Sequence, residues 1–185
     1  MTTRRLLRYR ASMASQPGFT LVELIAVIII VGILGAFAAS RFMGRASFDS
    51  IAYADQSVAL LRYAQKVAIA QNRNVYARVQ ANGIALCYDI SCIGGQRVRA
   101  AGGGNSDSAA TRAACADTTW ACEAPPSQVT ITPLALFYFD ALGKPFLETD
   151  GLSAAVSNFT TRTITVKADP SQRLITIEME TGYVH

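Results

Sequence analysis

Apolar and polar positions fall into three regimes along the chain. Leu24 to Ala39 is an uncharged run containing ten Leu, Ile, Val or Phe residues. On the insertion scale those ten alone favour the bilayer by about 3 to 6 kcal/mol. Extended back to Phe19 and on to Ser40, the run would make a helix of about 33 Å, enough to cross a bilayer. Further on, Ile51, Ala54, Val58, Leu61, Ala64 and Ala68 recur at steps of three and four. Asp49, Asp55, Gln56, Arg62 and Lys66 mostly fall between them. That spacing predicts an amphipathic helix to about Asn72, with "QNRN" (71–74) as its stop. The period then becomes two. "VYARVQ" (75–80), the turn signal "ANG" (81–83) and "IALCYD" (84–89) read as a hairpin. Strands are also expected at 128–132, 136–140 and 161–168, with turns at 141–145 and 169–172. A final strand pair or bent strand is expected after residue 172. Residues 94–114 are rich in Gly, Ser, Ala and Asn and read as a long, exposed, flexible loop. The expected class is α+β: a long N-terminal helix, then an antiparallel sheet domain.

Charge sharpens the membrane reading. The formal net charge is +4, yet Arg4, Arg5, Arg8 and Arg10 all precede Phe19, where no acidic residue lies. From Phe19 onward basic and acidic residues balance, and from Asn74 onward acidic residues exceed basic ones. The basic character therefore belongs to the N-terminus and is not spread over a nucleic-acid-binding face. Four arginines before the apolar run, against Arg41 and Arg45 just after it, predict a cytoplasmic N-terminus and an exported C-terminal body.

One residue breaks the apolar pattern. Glu23 lies five residues into the run, where a plain anchor or a secretory signal cut near "AFA" (36–38) gains nothing from a carboxylate. Arg41 is the first Lys or Arg to follow it, about 27 Å along a helix and too far to pair. A cut between Gly18 and Phe19 would supply a partner, because it frees an α-amino group at Phe19. Within one chain that amine would lie one helical turn from Glu23, at a helix start where a carboxylate is favoured. Between chains, the pair would neutralise both charges only in the correct axial register.

A basic leader ending in Gly18, followed by Phe19, Thr20, Leu21, Val22, Glu23, Leu24, Ile25 and an unbroken apolar run, resembles the class III signal of type IV pilins and type II secretion pseudopilins. The resemblance implies the pilin fold, cleavage after Gly18 by a prepilin peptidase, N-methylation of Phe19, and Glu23 as the assembly charge. It implies other pilin or pseudopilin subunits and an inner-membrane assembly platform as partners, and no cofactor. The expected layout is a cleaved leader (1–18), a transmembrane or filament-core helix (19–40), an amphipathic helix (41–73) and an exported β-rich domain (74–185). The chain departs from many major pilins in having no proline between Pro17 and Pro125. "FYFDALGKPF" and the final strands resemble H-type minor pseudopilins and minor pilins of the mannose-sensitive haemagglutinin pilus. The expected function is a minor pilin or pseudopilin, either built into such a pilus or serving type II secretion.

Four cysteines in an exported domain imply up to two disulfides. Cys87–Cys92 and Cys115–Cys122 would each close a small loop, and the crossed pairings stay open. Their spacing lacks the tight knuckle of a zinc site. Trp120 reads as a packed loop anchor. His185, the last residue, is the only histidine, and no nucleophile–base spacing or phosphate loop accompanies it, so an enzyme is not expected. Arg97, Arg99 and Arg112, on or beside the glycine-rich loop, are the candidate DNA contacts. The acidic balance of the domain argues against that reading.

Overall fold

The structure, a computed structural model, describes residues 19–185, without the side chains of residues 37–45. The expected leader, 1–18, lies outside the described residues. The chain divides into two compact units, one ending at Arg41 and the other running from Phe42 to His185. The first helix, α1, Leu21–Gln71, begins in the first unit and ends in the second.

In the first unit, every side chain from Phe19 to Ala36 is exposed. Among the described residues no helix is long and apolar enough to cross a membrane. The expected run, 19–40, continues four residues beyond Ala36, where its described side chains stop.

In the second unit α1 is one wall of the core. Its buried positions are Ala46, Ser50, Tyr53, Ala54, Ser57, Leu61, Ala64, Val67 and Ala68. The stripe is rotated slightly from the expected one: Ile51 and Val58 are only half-buried, and two serines take buried places. The reason is local. Ser57 donates to the Tyr53 carbonyl at 2.7 Å and Ser50 to the Ser47 carbonyl at 2.8 Å, so both hydroxyls are satisfied within the helix. Alanine and serine also let the helix approach the sheet closely. Asn72 ends α1 in the left-handed region at φ 49°. Asn72 N–H donates to the Ile69 carbonyl and Arg73 N–H to the Ala68 carbonyl, the paired bonds of a Schellman cap.

Two antiparallel sheets follow. The larger contains β1 (Val75–Gln80), β2 (Gly83–Cys87), β3 (Cys122–Glu123), β5 (Phe137–Phe139) and β6 (Pro145–Leu147), in the order β3-β2-β1-β5-β6. The smaller orders β4 (Thr130–Ile131), β7 (Arg162–Ala168) and β8 (Ser171–Ile177) as β4-β7-β8. After β8 the chain turns back, and Ile177 bridges Val184, which closes the expected final strand pair. The first hairpin has Gln80 opposite Gly83, so Ala81 and Asn82 form its turn, not the expected Asn-Gly centre. Gly83 serves another purpose. At φ +146° it lets the Glu123 carbonyl occupy the space where a Cβ would stand, so the β2–β3 pairing requires glycine there.

Alternation along β1, β2 and β5 gives the larger sheet two buried faces. Val75, Ala77, Val79, Ile84, Leu86, Phe137 and Phe139 join the α1 core. Tyr76, Cys87, Tyr138 and Phe146 point the other way into a second cluster with Cys92, Cys115, Trp120 and Cys122.

Candidate functional site

The N-terminal residues form the first candidate site. Thr20 heads α1: its carbonyl accepts from Leu24 N–H and its hydroxyl from Glu23 N–H, each at 3.2 Å. Thr20 is therefore the N-cap and Glu23 the third helical residue, in the T-x-x-E spacing of a capping box. Such a cap contributes about 1 kcal/mol. The first turn also places the Glu23 carboxylate at the positive end of the helix dipole. Phe19 precedes the cap, is exposed and is not helical. Phe19 lies just before the cap, and the helix starts two residues after it. Gly18 lies outside the described residues. Sequence reasoning passed over Thr20, although the T-x-x-E spacing was there to read.

The second candidate site is the cysteine-bearing face. The structure pairs Cys87 with Cys92 and Cys115 with Cys122. Trp120 shares a buried cluster with both bridges, is nine-tenths buried, and donates its indole N–H to the Leu86 carbonyl at 2.7 Å. That bond satisfies the only polar atom of a large side chain. The segment 94–114 is not the structureless loop expected. Residues Gly94–Gln96 and Ala101–Gly103 form 3-10 turns, and the helix α2 spans Ala109–Cys115. Val98 and Thr111 are buried, and single bridges join Cys87 to Arg97 and Arg99 to Trp120.

Glu123 organises this segment, and no sequence pattern announced it. Its carboxylate is buried and accepts from Ser106 N–H at 2.7 Å, Ser106 Oγ at 2.5 Å and Thr111 Oγ1 at 3.0 Å. These three donors replace water around a charge that burial alone would strongly disfavour. The neighbouring Tyr53 hydroxyl is held well above the usual phenol range by burial, with the Glu123 charge adding to the effect. Ser108 caps α2 by accepting from Thr111 N–H.

The three candidate DNA contacts are not gathered into an open basic patch. Arg97 lies over the Trp120 ring at 4.4 Å and within 3.8 Å of Asp117. Arg112 pairs with Asp107 at 3.3 Å and also donates to its carbonyl. Arg99 is exposed, and among the described residues its side chain forms no ion pair. Hydrogen bonds from Thr119, aided by Arg97 and Arg99, hold the Asp117 carboxyl below the usual range. Two of the three cations are thus already matched by carboxylates of the same face.

Comparison with known proteins bears on the N-terminal segment. Residues 13–39 match the family described as "Prokaryotic N-terminal methylation motif". A 73-residue stretch is 38% identical to the type IV narrow pilus major component PilA5 of Thermus thermophilus. The N-terminal segment is thus similar to a prokaryotic methylation motif, and a stretch of the chain to a type IV pilin. The pilin match to PilA5 covers 40% of this chain and 55% of the relative, so it spans only about half of that protein. Two crystal forms of the type IV minor pilin FimU of Pseudomonas aeruginosa PAO1 align at 14% identity, each with a TM-score of 0.43. They cover 72% and 80% of this chain, and 89% and 90% of FimU. The α+β assignment rests on this chain's own helix and sheets.

Proposed function

We propose that this chain is a pilin, a minor subunit of a type IV pilus-like filament, cut between Gly18 and Phe19 and N-methylated on Phe19. The observation that supports this reading most is the methylation-motif match across 13–39, which brackets Gly18, Phe19 and Glu23 in one contiguous run. In this reading the precursor sits in the inner membrane as a single span, N-terminus inside, with the domain exported. A prepilin peptidase removes the leader. An assembly platform then moves the subunit into the filament, and Glu23 meets the new α-amine of its own or a neighbouring chain.

The same leader and glutamate would serve a type II secretion pseudopilus, so the genes beside it decide which machine it belongs to. The arrangement of Arg97 and Arg112 favours a structural subunit over a DNA-binding one. The mature N-terminus, read by mass spectrometry, is expected at methylated Phe19; a start near Ala39 would overturn the proposal. Glu23→Ala should leave membrane insertion intact and lower incorporation into sheared filaments at least about tenfold. That loss requires only about 1.4 kcal/mol per subunit. Normal incorporation of this variant would remove the charge-register role.

A further inference from the structure

Four strand edges bound the two sheets, and three of them are closed. β3 is two residues long, lies beside α2, and the amide after it donates to Thr111 Oγ1 at 3.2 Å. β4 is also two residues long and stands between Pro126 and Pro133. β6 begins at Pro145, whose carbonyl accepts from Ser157 Oγ at 2.6 Å, and its Leu147 N–H donates to Asp150 at 2.9 Å. Short strands, prolines and side-chain partners all keep an edge from pairing.

β8 has none of these. It is seven residues long, and only its far end is covered. Thr176 exchanges both backbone bonds with His185, at 2.7 and 3.0 Å, and Glu178 N–H donates to the Tyr183 carbonyl at 2.9 Å. Thr176 therefore points away from β7. By the alternation of an antiparallel strand, Leu174 and Gln172 do so too. Among the described residues nothing bonds their outward N–H and C=O groups. Both side chains are exposed. The helix flanks this open stretch. Ser47 Oγ meets Ser171 Oγ at 2.6 Å at the start of β8, and Arg62 Nε donates to the Val184 carbonyl at 2.8 Å beyond its end. Ile51 and Val58 fall between Ser47 and Arg62 on the same side of α1, and each is only half-buried.

We infer that the open half of the β8 edge, residues 171–174, receives an extended strand of a different chain, with a carboxylate opposite Arg173 and an apolar side chain opposite Leu174. Unpaired backbone groups on a strand edge are a template for exactly one kind of ligand, another strand. A second copy of this chain does not fit. Its other edges are closed, and β8 against β8, in the register that uses both open residues, sets Arg173 opposite Arg173, a destabilising pair. An edge that rejects its own kind takes one partner and stops, as a minor subunit requires. The filament reading makes that partner a neighbouring subunit, and the inference rests on it for that alone.

The local charges select the carboxylate. Arg173 is exposed and, among the described residues, forms no ion pair. Lys167 is bound to Asp169 at 3.1 Å and Glu178 to His185 at 3.1 Å. Arg62 and Arg162 stand at the covered end, Arg162 opposite Ile177. Asp55, on the same side of α1 as Ile51 and Val58, is exposed and would repel an incoming carboxylate. Such a group is thus matched at Arg173 and at no other point of the open stretch. Main-chain bonds supply the affinity of this contact, and Arg173 supplies its register.

The test uses the purified full-length chain in detergent and an end-capped peptide, Ser-Val-Glu-Thr-Thr. Antiparallel to β8, it sets valine opposite Leu174 and glutamate opposite Arg173. Without peptide, the Gln172 and Leu174 amides should exchange freely; saturating peptide should slow both at least about tenfold. Lysine in place of the glutamate should weaken binding at least about fivefold, and Arg173→Glu should reverse that preference. N-methylation of the valine should abolish binding, because it removes a ladder donor. Amides already slow in the free chain, no slowing with peptide, or equal slowing by both peptides would overturn the inference. Gln172→Cys and Leu174→Cys chains that join by a disulfide when co-expressed would also overturn it, by placing a second copy on the edge. A chain that starts at methylated Phe19 but binds no peptide loses this edge alone. One that binds the peptide but starts near Ala39 keeps the edge and loses the filament reading.

Discussion

The two faces of the five-stranded sheet are closed by different means. The inner face packs aliphatic side chains with Phe137 and Phe139, and is covered by a helix whose buried stripe runs from Ala46 to Ala68. The outer face is half covalent. Tyr76 packs tilted against Tyr138, and Tyr138 stacks on Phe146, at centroid distances of 5.2 and 5.5 Å, in one cluster with the four disulfide cysteines and Trp120. The inner face gains its stability from contact area. Too few residues lie over the outer face to cover it by area alone. Short cross-linked loops do so instead, by restricting the unfolded chain. One sheet therefore shows two routes to a closed core, and each should fail in its own way.

The inner face should show the larger loss. Leu61→Ala removes a fully buried side chain where α1 meets the sheet. Its cost is expected at about 2 to 5 kcal/mol, measured by denaturant unfolding of the purified chain. A loss below about 1 kcal/mol would mean that the helix can settle into the gap and the inner face is not close-packed. The outer face should lose less. Cys115→Ser with Cys122→Ser opens one seven-residue separation, for an expected loss of about 2 kcal/mol by the loop-entropy argument. The same pair should loosen Trp120, seen as a red shift of its emission, while Leu61→Ala leaves that emission closer to native. Equal shifts in both variants would show that the two faces unfold as one.

This contrast also sorts what the chain's residues disclosed. The inner face was legible because periodicity reports area: steps of three and four gave α1 to within a residue of Gln71, and alternation gave β1 and β2. The N-terminal signal was legible because an unpaired carboxylate in an apolar run is costly anywhere, so Glu23 needed a reason. The outer face was harder. Its glycine-rich stretch, 94–114, looks solvated by composition, yet Val98, Thr111 and the buried Glu123 tie it down through contacts distant in sequence. Nothing in local spacing marks Ser106 and Thr111 as the donors for Glu123. The buried serines of α1 were missed for a related reason: their hydroxyls bond backward within the helix, so they behave as small apolar residues.

Acid should separate the faces most finely. The loops that cover the outer face are fastened by carboxylates. Asp89 accepts from Cys92 N–H at 2.8 Å, and that bond, with help from Ser91, holds its carboxyl below the usual range. Asp117 is lowered likewise, chiefly by Thr119 N–H. A carboxyl depressed in the folded state favours folding above its unfolded pKa, and that contribution is lost as pH falls through the folded value. The fastening should therefore be intact at neutral pH and fade below about pH 4. Among the described residues no side-chain carboxylate bonds a β1 amide, and β1 is held by its pairing with β2 and β5. Hydrogen exchange at matched intrinsic rates should show the Cys92 and Thr119 amides losing protection on acidification while the β1 amides keep theirs. Asp89→Asn should weaken protection at Cys92 already at neutral pH and flatten its pH dependence, since a neutral amide cannot titrate. Loss of β1 protection in step with Cys92 would show instead that acid acts on the whole domain.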